Sequence, residues 1–443
     1  MKEIPLSVPN LNIEIAANLR ECVETGWIST GGRFITEFEE KVAAYTGAGE
    51  AVGCQSGTAG LHTALRILGV KAGDIVVCPT LTFIAAVNPV RYLGAEPVFI
   101  DCAADLCMDP EKLERYLSAD CRREGELLVD NATSQAVTAI VVVHVFGVIA
   151  NMERIMDIAS EYGLPVLEDA TEAMGSFMRA GRYKGKHAGA IGDIGVFSFN
   201  ANKIITTGGG GMIVEGGGSG PGEDVPGRAK AYVGKARYLT TTAKDDGLYF
   251  AHNEVGYNYR MLNLQAALGV SQIDELDRFI EVKKRNYDLY SQMLAGTPGI
   301  RLMPPPKGQR WNYWFYSLYV DDEPAHMTEV SVSPADRQTA LGDSPPTDSR
   351  RDRLMNALIA DGIQCRPVWK LVHTQKPYKG FRARDIERAK DYEKHILNLP
   401  CSTNLTEDEV RYVCRKIIEN ISTEDSNAMS QTERLRVTAA FRL

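Results

Sequence analysis

The sequence predicts an α/β fold, with a large domain built on a mostly parallel, seven-stranded sheet and a small α+β C-terminal domain. Two observations support this prediction. Short runs rich in β-branched residues alternate with helical patterns in the first half, and the second half loses this alternation. The runs are apolar at consecutive positions, which is typical of strands buried on both faces of a parallel sheet. Strands that alternate with helices indicate an α/β fold.

Each element of the large domain has its own local signal. The predicted strands are AVGC (51–54), DIVVCP (74–79), PVFIDC (97–102), AIVVVHVFG (139–147), PVLEDA (165–170), VFSFN (196–200) and GGMIVE (210–215). The predicted helices between them are TAGLHTALRILG (58–69), FIAAVNPVRYLG (83–94) and NMERIMDIASEYG (151–163). All three helical patterns end at a glycine, as helices often do.

The second half indicates a smaller unit. An amphipathic run from Asn263 to about Leu294 predicts a long helix that leaves the large domain. The later elements are strand-like YWFYSLYV (313–320), helical SRRDRLMNALIADG (349–362) and QCRPVW (364–369). The predicted boundaries are 1–280 for the large domain, 281–425 for the small domain and 426–443 for a tail. Three segments are predicted as surface insertions: 117–136, 216–227 and 321–348.

Composition excludes several classes of protein. The 443 residues carry a net charge of −8, which disfavours a nucleic-acid-binding protein. The sequence has no run of 18 apolar residues, so we expect no membrane helix. The N-terminus MKEIPLSVPN lacks the apolar segment of a secretory signal. The nine cysteines are an odd number and form no C-x-x-C pair, so we expect small buried thiols in a reducing compartment. These features predict a cytoplasmic protein without a metal site.

A possible anion site lies in CQSGTAGLHTAL (54–65), between a predicted strand and a predicted helix. Neither G-x-G-x-x-G nor G-x-x-x-x-G-K-[ST] follows a predicted strand, so the dinucleotide and P-loop fingerprints are not met. Ser56, Gly57 and Thr58 nevertheless stand at the helix start, where free N–H groups and the helix dipole favour an anion. A plain Ser/Thr cap of the helix is the alternative.

Two charged residues follow predicted strands. Asp169 ends PVLEDA, at the carboxyl end of a strand, where open α/β sheets bind ligands. A buried carboxylate needs a partner, which could be a protonated pyridine nitrogen or an arginine. Lys203 follows VFSFN in a segment with little other charge. A buried lysine there can have a lowered pKa and act as a nucleophile toward a carbonyl, whereas an exposed lysine would do neither.

The order of these features along the chain points to one cofactor. An N–H cup comes first, a strand-end aspartate second and a strand-end lysine third. Pyridoxal 5′-phosphate has a phosphate, a ring nitrogen and an aldehyde, which these three groups suit in turn. The four glycines Gly208–Gly211 precede a strand rather than a helix, so we interpret them as support for the lysine loop and not as a phosphate loop.

On longer motifs, the chain resembles the DegT/DnrJ/EryC1/StrS sugar aminotransferases. The motifs are SGTAGLHTAL, PTLTFIAAVNPV, GAEPVFID, VHVFG, LEDATEAMGS, GDIGVFSFNANKIITTGGGGM, VGYNYRMLNLQAALG and GIQCRPVW. They run in the family's order over nearly the whole chain, apart from the three insertions and the tail. The resemblance implies the pyridoxal-phosphate-dependent transferase fold type I, the fold of aspartate aminotransferase.

The resemblance also implies roles for residues that match the family. Lys203 would bond to the cofactor and later carry the proton, and Asp169 would pair with the pyridinium nitrogen. Gly57 and Thr58 would donate backbone N–H groups to the phosphate, and Ser198 would add its hydroxyl.

Three further residues match family positions. Phe83 would stack on the cofactor ring, although a core phenylalanine is the alternative. Glu172 matches a position near the ring's 3-hydroxyl, where glutamine or histidine is frequent in the family. Asn258, in GYNYRM, matches an asparagine that reaches the phosphate from the neighbouring subunit, which implies an obligate homodimer with shared active sites.

Within the family, NKIITTGGGGM and LTTTAKDD (239–246) are most similar to enzymes that aminate C4 of UDP-linked 4-keto-6-deoxy-N-acetylhexosamines, with L-glutamate as amino donor. Perosamine synthases, which use a GDP-linked sugar, are also similar. Arg237, Lys244 and Arg260 are candidate contacts for the nucleotide diphosphate. A sugar dehydratase of the family would have histidine in place of Lys203. A catalytically inactive regulatory homologue is the alternative from another class, and the intact catalytic residues disfavour it.

Overall fold

The chain follows the predicted alternation of strands and helices in the computed structural model, which describes residues 3–217, 228–322 and 349–422. The strands are β1 (Ala51–Cys54), β2 (Ile75–Pro79), β3 (Glu96–Ile100), β4 (Cys121–Glu124), β5 (Leu127–Asp130), β6 (Ala136–Val143), β7 (Val166–Asp169), β8 (Phe177–Met178), β9 (Ile194–Ser198), β10 (Gly211–Glu215), β11 (Ile300–Leu302), β12 (Gln309–Arg310), β13 (Tyr316–Val320), β14 (Arg366–Pro367), β15 (Ala383–Arg384) and β16 (Ile396–Leu399). The α-helices are α1 (Glu14–Thr25), α2 (Arg33–Thr46), α3 (Gly57–Ile67), α4 (Asn88–Tyr92), α5 (Pro110–Asp120), α6 (Met152–Tyr162), α7 (Arg228–Thr240), α8 (Asn263–Asp274), α9 (Leu276–Leu294), α10 (Arg350–Ala360) and α11 (Arg388–His395). A further helix covers residues 407–422, and turns of 3-10 helix cover Ile84–Ala86, Val145–Gly147 and Val372–Thr374.

The seven predicted strands form the main path of the large sheet, in the order β1-β10-β9-β7-β6-β2-β3. Neighbours along this path are parallel, except that β10 is antiparallel to both β1 and β9. Because β10 is reversed relative to both neighbours, β1 runs in the same direction as β9 and β7. The carboxyl ends of β1, β7 and β9 therefore meet at one edge of the sheet. The prediction of a mostly parallel sheet is confirmed.

Three short strands extend this sheet to ten strands within the described ranges. β15 is parallel to β3 at one edge, and the hairpin β4–β5 pairs with the start of β6. This hairpin lies in segment 117–136, so the prediction of a simple surface insertion needs correction. Leu128 and Val129 are buried, because β5 lies between β4 and β6 and is paired with both.

The helix predictions hold with two local differences. α3 and α6 match their predictions, whereas residues 83–94 form a 3-10 turn and the short α4. Pro89 lies at the start of α4, and its missing N–H prevents one continuous helix through this segment. The long helix predicted from Asn263 is two helices, α8 and α9, which meet at Glu275.

The C-terminal half has its own antiparallel sheet, in the order β11-β13-β16-β14. The N-terminal segment joins this half, because Ile4 N donates to Gly362 O at 2.9 Å and Gln364 N donates to Ile4 O at 2.9 Å. The domain boundaries stay predictions. Residues 218–227, 323–348 and 423–443, which hold the tail and most of two predicted insertions, lie outside the described residues.

Two predictions from composition can be compared with the fold. All nine cysteines lie in the described ranges, and each is buried and free of disulfide bonds, as expected. In the part of the chain that the structure describes, no helix has the length and apolar character needed to cross a membrane.

Candidate active site

Lys203 lies in the turn that follows β9, at the edge where three strands end. Its Nζ is 3.9 Å from Glu172 Oε1 and 4.1 Å from the ring centroid of Trp314. The lysine side chain is only 13% exposed. Burial lowers the pKa of Lys203, although the nearby carboxylates of Glu172 and Asp169 act in the opposite direction. This lysine is therefore a buried amine beside two acids, and the alternative of an exposed surface lysine is wrong.

Asp169 is the last residue of β7 and is 3% exposed. Thr171 N donates to its Oδ1 at 3.1 Å. Burial raises the pKa of Asp169, opposed by that hydrogen bond and by the charge of Lys203. Within the described ranges no arginine pairs with it, so the arginine alternative finds no support there. A buried carboxylate of this kind suits a protonated ligand nitrogen.

The neighbouring Glu168 holds the end of β7 in place. Successive strand residues point to opposite faces, so Glu168 points away from Asp169 and is completely buried. Three backbone N–H groups within residues 189–192 donate to its carboxylate at 2.5–2.9 Å. His144 Nδ1 accepts from Ala150 N at 3.2 Å, so we assign the proton to Nε2, which donates to Glu168 Oε2 at 2.7 Å. This anchor was not recognised in the sequence.

The N-terminus of α3 closes against the ends of β7 and β9. Ser56 caps the helix, with its Oγ accepting from Ala59 N at 3.1 Å. A Cβ added to Gly57 would lie 2.9 Å from Thr171 Cγ2 and 3.0 Å from Ser198 Cβ. This segment can be a helix cap and an anion site at the same time. The cap satisfies one N–H group of the first turn, and the other N–H groups of that turn have no acceptor within the helix and can bind an anion. The structure thus brings Ser198 beside the predicted cup.

Glu172 lies opposite Lys203 and is 5% exposed. Phe146 N donates to its Oε2 at 2.8 Å, which leaves Oε1 facing the lysine. Burial raises the pKa of Glu172 to about 7, while the charge of Lys203 acts to lower it. Phe146 donates this hydrogen bond from a backbone conformation with a φ of 53°, which is unfavourable for a bulky residue.

Two residues of the site were missed in the sequence, Asn312 and Trp314. Asn312 is completely buried, and its Nδ2 donates to Glu172 O at 2.8 Å and to Met174 O at 3.0 Å. Trp314 Nε1 donates to Asn202 O, directly before Lys203, at 2.9 Å. The only available signal was a polar asparagine beside the apolar run 313–320, which otherwise is typical of a buried strand.

Aromatic rings connect Phe83 to the lysine site. The Phe83 ring centroid is 6.4 Å from that of Trp369, which is 4.8 Å from that of Phe146. Phe146 is in turn 6.1 Å from Trp314. Phe83 itself is 54% exposed, so the alternative of a core phenylalanine is wrong. Its stacking on a ligand ring stays a prediction.

Asn258 stands apart from the catalytic groups. It is exposed, and no hydrogen bond or ion pair joins it to Lys203, Asp169 or Glu172 in the described ranges. The flanking Tyr257 and Tyr259 stack on each other, with ring centroids 5.0 Å apart. An extended segment points successive side chains to opposite sides, so Asn258 faces away from this pair.

Two of the three predicted nucleotide contacts form ion pairs within the chain. Arg237 Nη1 and Arg260 Nη1 lie 2.9 Å and 2.5 Å from the carboxylate of Glu39, which is 6% exposed. The Lys244 ammonium lies 4.9 Å from the ring centroid of Phe250. Any nucleotide that meets the two arginines must compete with a buried carboxylate, which the sequence did not reveal.

Comparison with known proteins identifies the family. The model of the DegT/DnrJ/EryC1/StrS aminotransferase family matches residues 9–418. The chain is 34% identical to a protein of Bacillus subtilis named putative pyridoxal phosphate-dependent aminotransferase EpsN, over 92% of this chain and 93% of that protein. It is also 34% identical to GDP-perosamine synthase of Caulobacter vibrioides, over 93% of this chain and 96% of that protein.

Solved structures agree with this result. The aminotransferase TlmJ from Streptoalloteichus hindustanus superposes with a TM-score of 0.76 at 25% identity, covering 95% of this chain and all of that one. DesI, solved in the presence of its TDP-sugar product, has a TM-score of 0.78 at 23% identity, covering 98% of this chain and 96% of its own, and supports the fold alone. The chain belongs to the DegT/DnrJ/EryC1/StrS aminotransferase family, with the pyridoxal-phosphate-dependent transferase fold type I that the sequence predicts.

Proposed function

We propose that this chain moves the amino group of L-glutamate to C4 of a nucleotide-linked 4-keto-6-deoxyhexose, as a pyridoxal-phosphate-dependent sugar aminotransferase. The observation that carries this proposal is the buried amine of Lys203 beside Glu172 and Asp169, at the sheet edge where α3 begins. A transaminase needs a nearly desolvated amine of this kind, since only its neutral form attacks a carbonyl.

The residues present fit pyridoxal phosphate. The missing Cβ of Gly57 leaves a cradle between Thr171 and Ser198, where the N–H groups of Gly57 and Thr58 and the Ser198 hydroxyl would hold the phosphate. When bound, the cofactor supplies a protonated ring that accepts electron density from the reacting carbon.

The protein's own groups have distinct tasks. Asp169 would keep the ring nitrogen protonated, because it is a buried carboxylate at the end of β7. Glu172 would face the ring's 3-hydroxyl side, and Phe83 would cover the ring. Lys203 Nζ, whose pKa is lowered by burial, would take up and release the proton as general base and acid.

The preferred acceptor is a UDP-linked 4-keto-6-deoxy-N-acetylhexosamine, on the basis of NKIITTGGGGM and LTTTAKDD. A GDP-linked 4-keto-6-deoxymannose is the second candidate. The similarity to the GDP-perosamine synthase of Caulobacter vibrioides favours it. The two candidates differ in the nucleobase and at C2 of the sugar, so a substrate panel separates them.

A homodimer with shared active sites is part of the proposal. Leu248, Tyr249, Phe250 and Val255 are between 66% and 80% exposed, in the segment that leads to the exposed Asn258. Clustered exposed apolar residues mark protein interfaces. Contact with a second copy would cover them and bring Asn258 to the phosphate of the partner. We also propose a cytoplasmic location, where nucleotide sugars and L-glutamate would be available.

The first experiment is a visible absorption spectrum of the purified protein before and after L-glutamate. We expect a yellow protein that bleaches when L-glutamate is added. UDP-, GDP- and dTDP-linked 4-keto-sugars, added one at a time, should then restore the colour only for the correct acceptor. A protein that stays colourless after incubation with pyridoxal phosphate would contradict the proposal and favour an inactive regulatory homologue.

A further inference from the structure

Trp314 contacts both the backbone and the amino group of the lysine loop. Its Nε1 donates to Asn202 O at 2.9 Å, one residue before Lys203. The face of its ring lies 4.1 Å from Lys203 Nζ. Trp314 is 3% exposed, so this contact is shielded from water. A single side chain therefore holds the loop and the amine together.

The lysine amine is close to two different groups. Glu172 Oε1 is 3.9 Å from Nζ, and the centroid of the Trp314 ring is 4.1 Å from Nζ. Both groups attract an ammonium more than a neutral amine, because an aromatic face and a carboxylate are both negative. The carboxylates of Glu172 and Asp169 oppose the effect of burial on the pKa of Lys203, and a nearby aromatic face acts in the same direction.

Asn312 joins these two groups into one unit. Its Oδ1 accepts from Trp314 N at 3.0 Å, and its Nδ2 donates to Glu172 O at 2.8 Å. A Cβ on Gly147 would lie within 1.9 Å of Asn312 Oδ1, so the backbone approaches the asparagine closely at this point. The distance between indole and carboxylate is therefore set by buried hydrogen bonds rather than by two independent side chains.

We propose that Trp314 is a positioning residue that holds the free amino group of Lys203 against Glu172 whenever the lysine is not bonded to the cofactor. This inference rests on the proposed function, in which Lys203 alternates between a bonded and a free state. A free lysine side chain would otherwise lose its geometry, because its four-carbon stem has many rotamers. The indole keeps the amine within reach of the site.

Two substitutions separate the two contacts of Trp314. Trp314→Phe keeps an aromatic face but removes the N–H bond to Asn202 O, whereas Trp314→Leu removes both. Tyr316→Phe is the matched control. It removes a buried O–H bond, to Lys283 O at 2.8 Å, from the same apolar run, and it leaves the Glu172 and Trp314 contacts of Lys203 in place.

The measurement uses the full-length protein after removal of the cofactor. Acetic anhydride is applied at a series of pH values, and acetylation of Lys203 is quantified by peptide mass spectrometry. We expect Trp314→Leu to lower the pH midpoint of acetylation enough to raise labelling at pH 7 roughly threefold to tenfold, since the ammonium loses its aromatic partner. Trp314→Phe should keep a midpoint close to that of wild type, and the Tyr316→Phe control should leave the midpoint unchanged.

An unchanged midpoint in Trp314→Leu would overturn the inference. The inference is also overturned if acetylation of Lys203 increases by the same factor at every pH, because such an increase shows only that the reagent reaches the lysine more easily. The experiment contains neither amino donor nor sugar, so its failure is distinct from failure of the proposed function. In cofactor-loaded protein, we further expect Trp314→Leu to have a larger effect on kcat, which should fall, than on the KM for L-glutamate.

Discussion

The Lys203 amine and the Glu172 carboxylate lie 3.9 Å apart in a site that is nearly closed to solvent. Each group alone would favour its neutral form there, and each favours the charged form of the other. The protonation of the pair therefore depends on both groups.

Glu172→Gln should change the pH dependence of stability. In the folded protein the pKa of Glu172 is raised from 4.5 to about 7. The folded state therefore binds more protons than the unfolded state in this range, and stability falls as pH rises from about 4.5 to about 7. The loss is at most about 3.5 kcal/mol, because one pKa unit corresponds to about 1.4 kcal/mol. The free energy of unfolding of cofactor-free protein is measured with urea at pH 5 and pH 7.5. If it changes with pH by the same amount in wild type and in Glu172→Gln, the prediction is contradicted.

Lys203→Ala should abolish covalent attachment of the cofactor and transamination. Pyridoxal phosphate can still bind, because the phosphate cup and Asp169 remain. Mass spectrometry after borohydride reduction should find the cofactor mass on the peptide with Lys203 in wild type and nowhere in the variant. Lys186→Ala, at an exposed lysine, is the control and should label normally. Attachment elsewhere in Lys203→Ala would assign the role to another lysine.

Gly57→Ala should weaken cofactor binding by roughly tenfold or more while the protein stays folded. The new methyl would lie about 3 Å from Thr171 and Ser198, and the loss of one charge-assisted N–H bond alone is worth about 1.5 kcal/mol. Equilibrium titration with pyridoxal phosphate measures the effect. Gly234→Ala is the matched control, because a Cβ added to this helical glycine would have no atom within 4 Å, and the substitution should leave the affinity unchanged.

Mixing of two inactive variants tests the shared active site. Lys203→Ala and Asn258→Ala should each lose activity when alone. If Asn258 serves the partner, each mixed dimer has one site with both substitutions and one intact site. Co-refolding of equal amounts should then recover about a quarter of wild-type activity, since half of the dimers are mixed and half of their sites are intact. No recovery, with mixed dimers shown by native mass spectrometry, would place both residues in the same subunit's site.

The sequence by itself determined the local elements and the chemical groups of the site. Lys203, Asp169 and the Gly57 segment were identified because strand ends and helix starts are set by short-range patterns. The seven strands of the main sheet were recognised for the same reason. The hairpin β4–β5 was missed because its two strands of four residues are too short to show an apolar period and β4 is mostly charged.

Only the tertiary structure decided which distant residues meet the site. Trp314 reaches Asn202 across 112 positions, and Asn312 reaches Glu172 across 140. Glu39 binds arginines 198 and 221 positions away. A buried tryptophan that positions a lysine has the same local pattern as one that fills a core. Such partners depend on strand order and on the reversed direction of β10, and these follow from packing over the whole chain rather than from any segment.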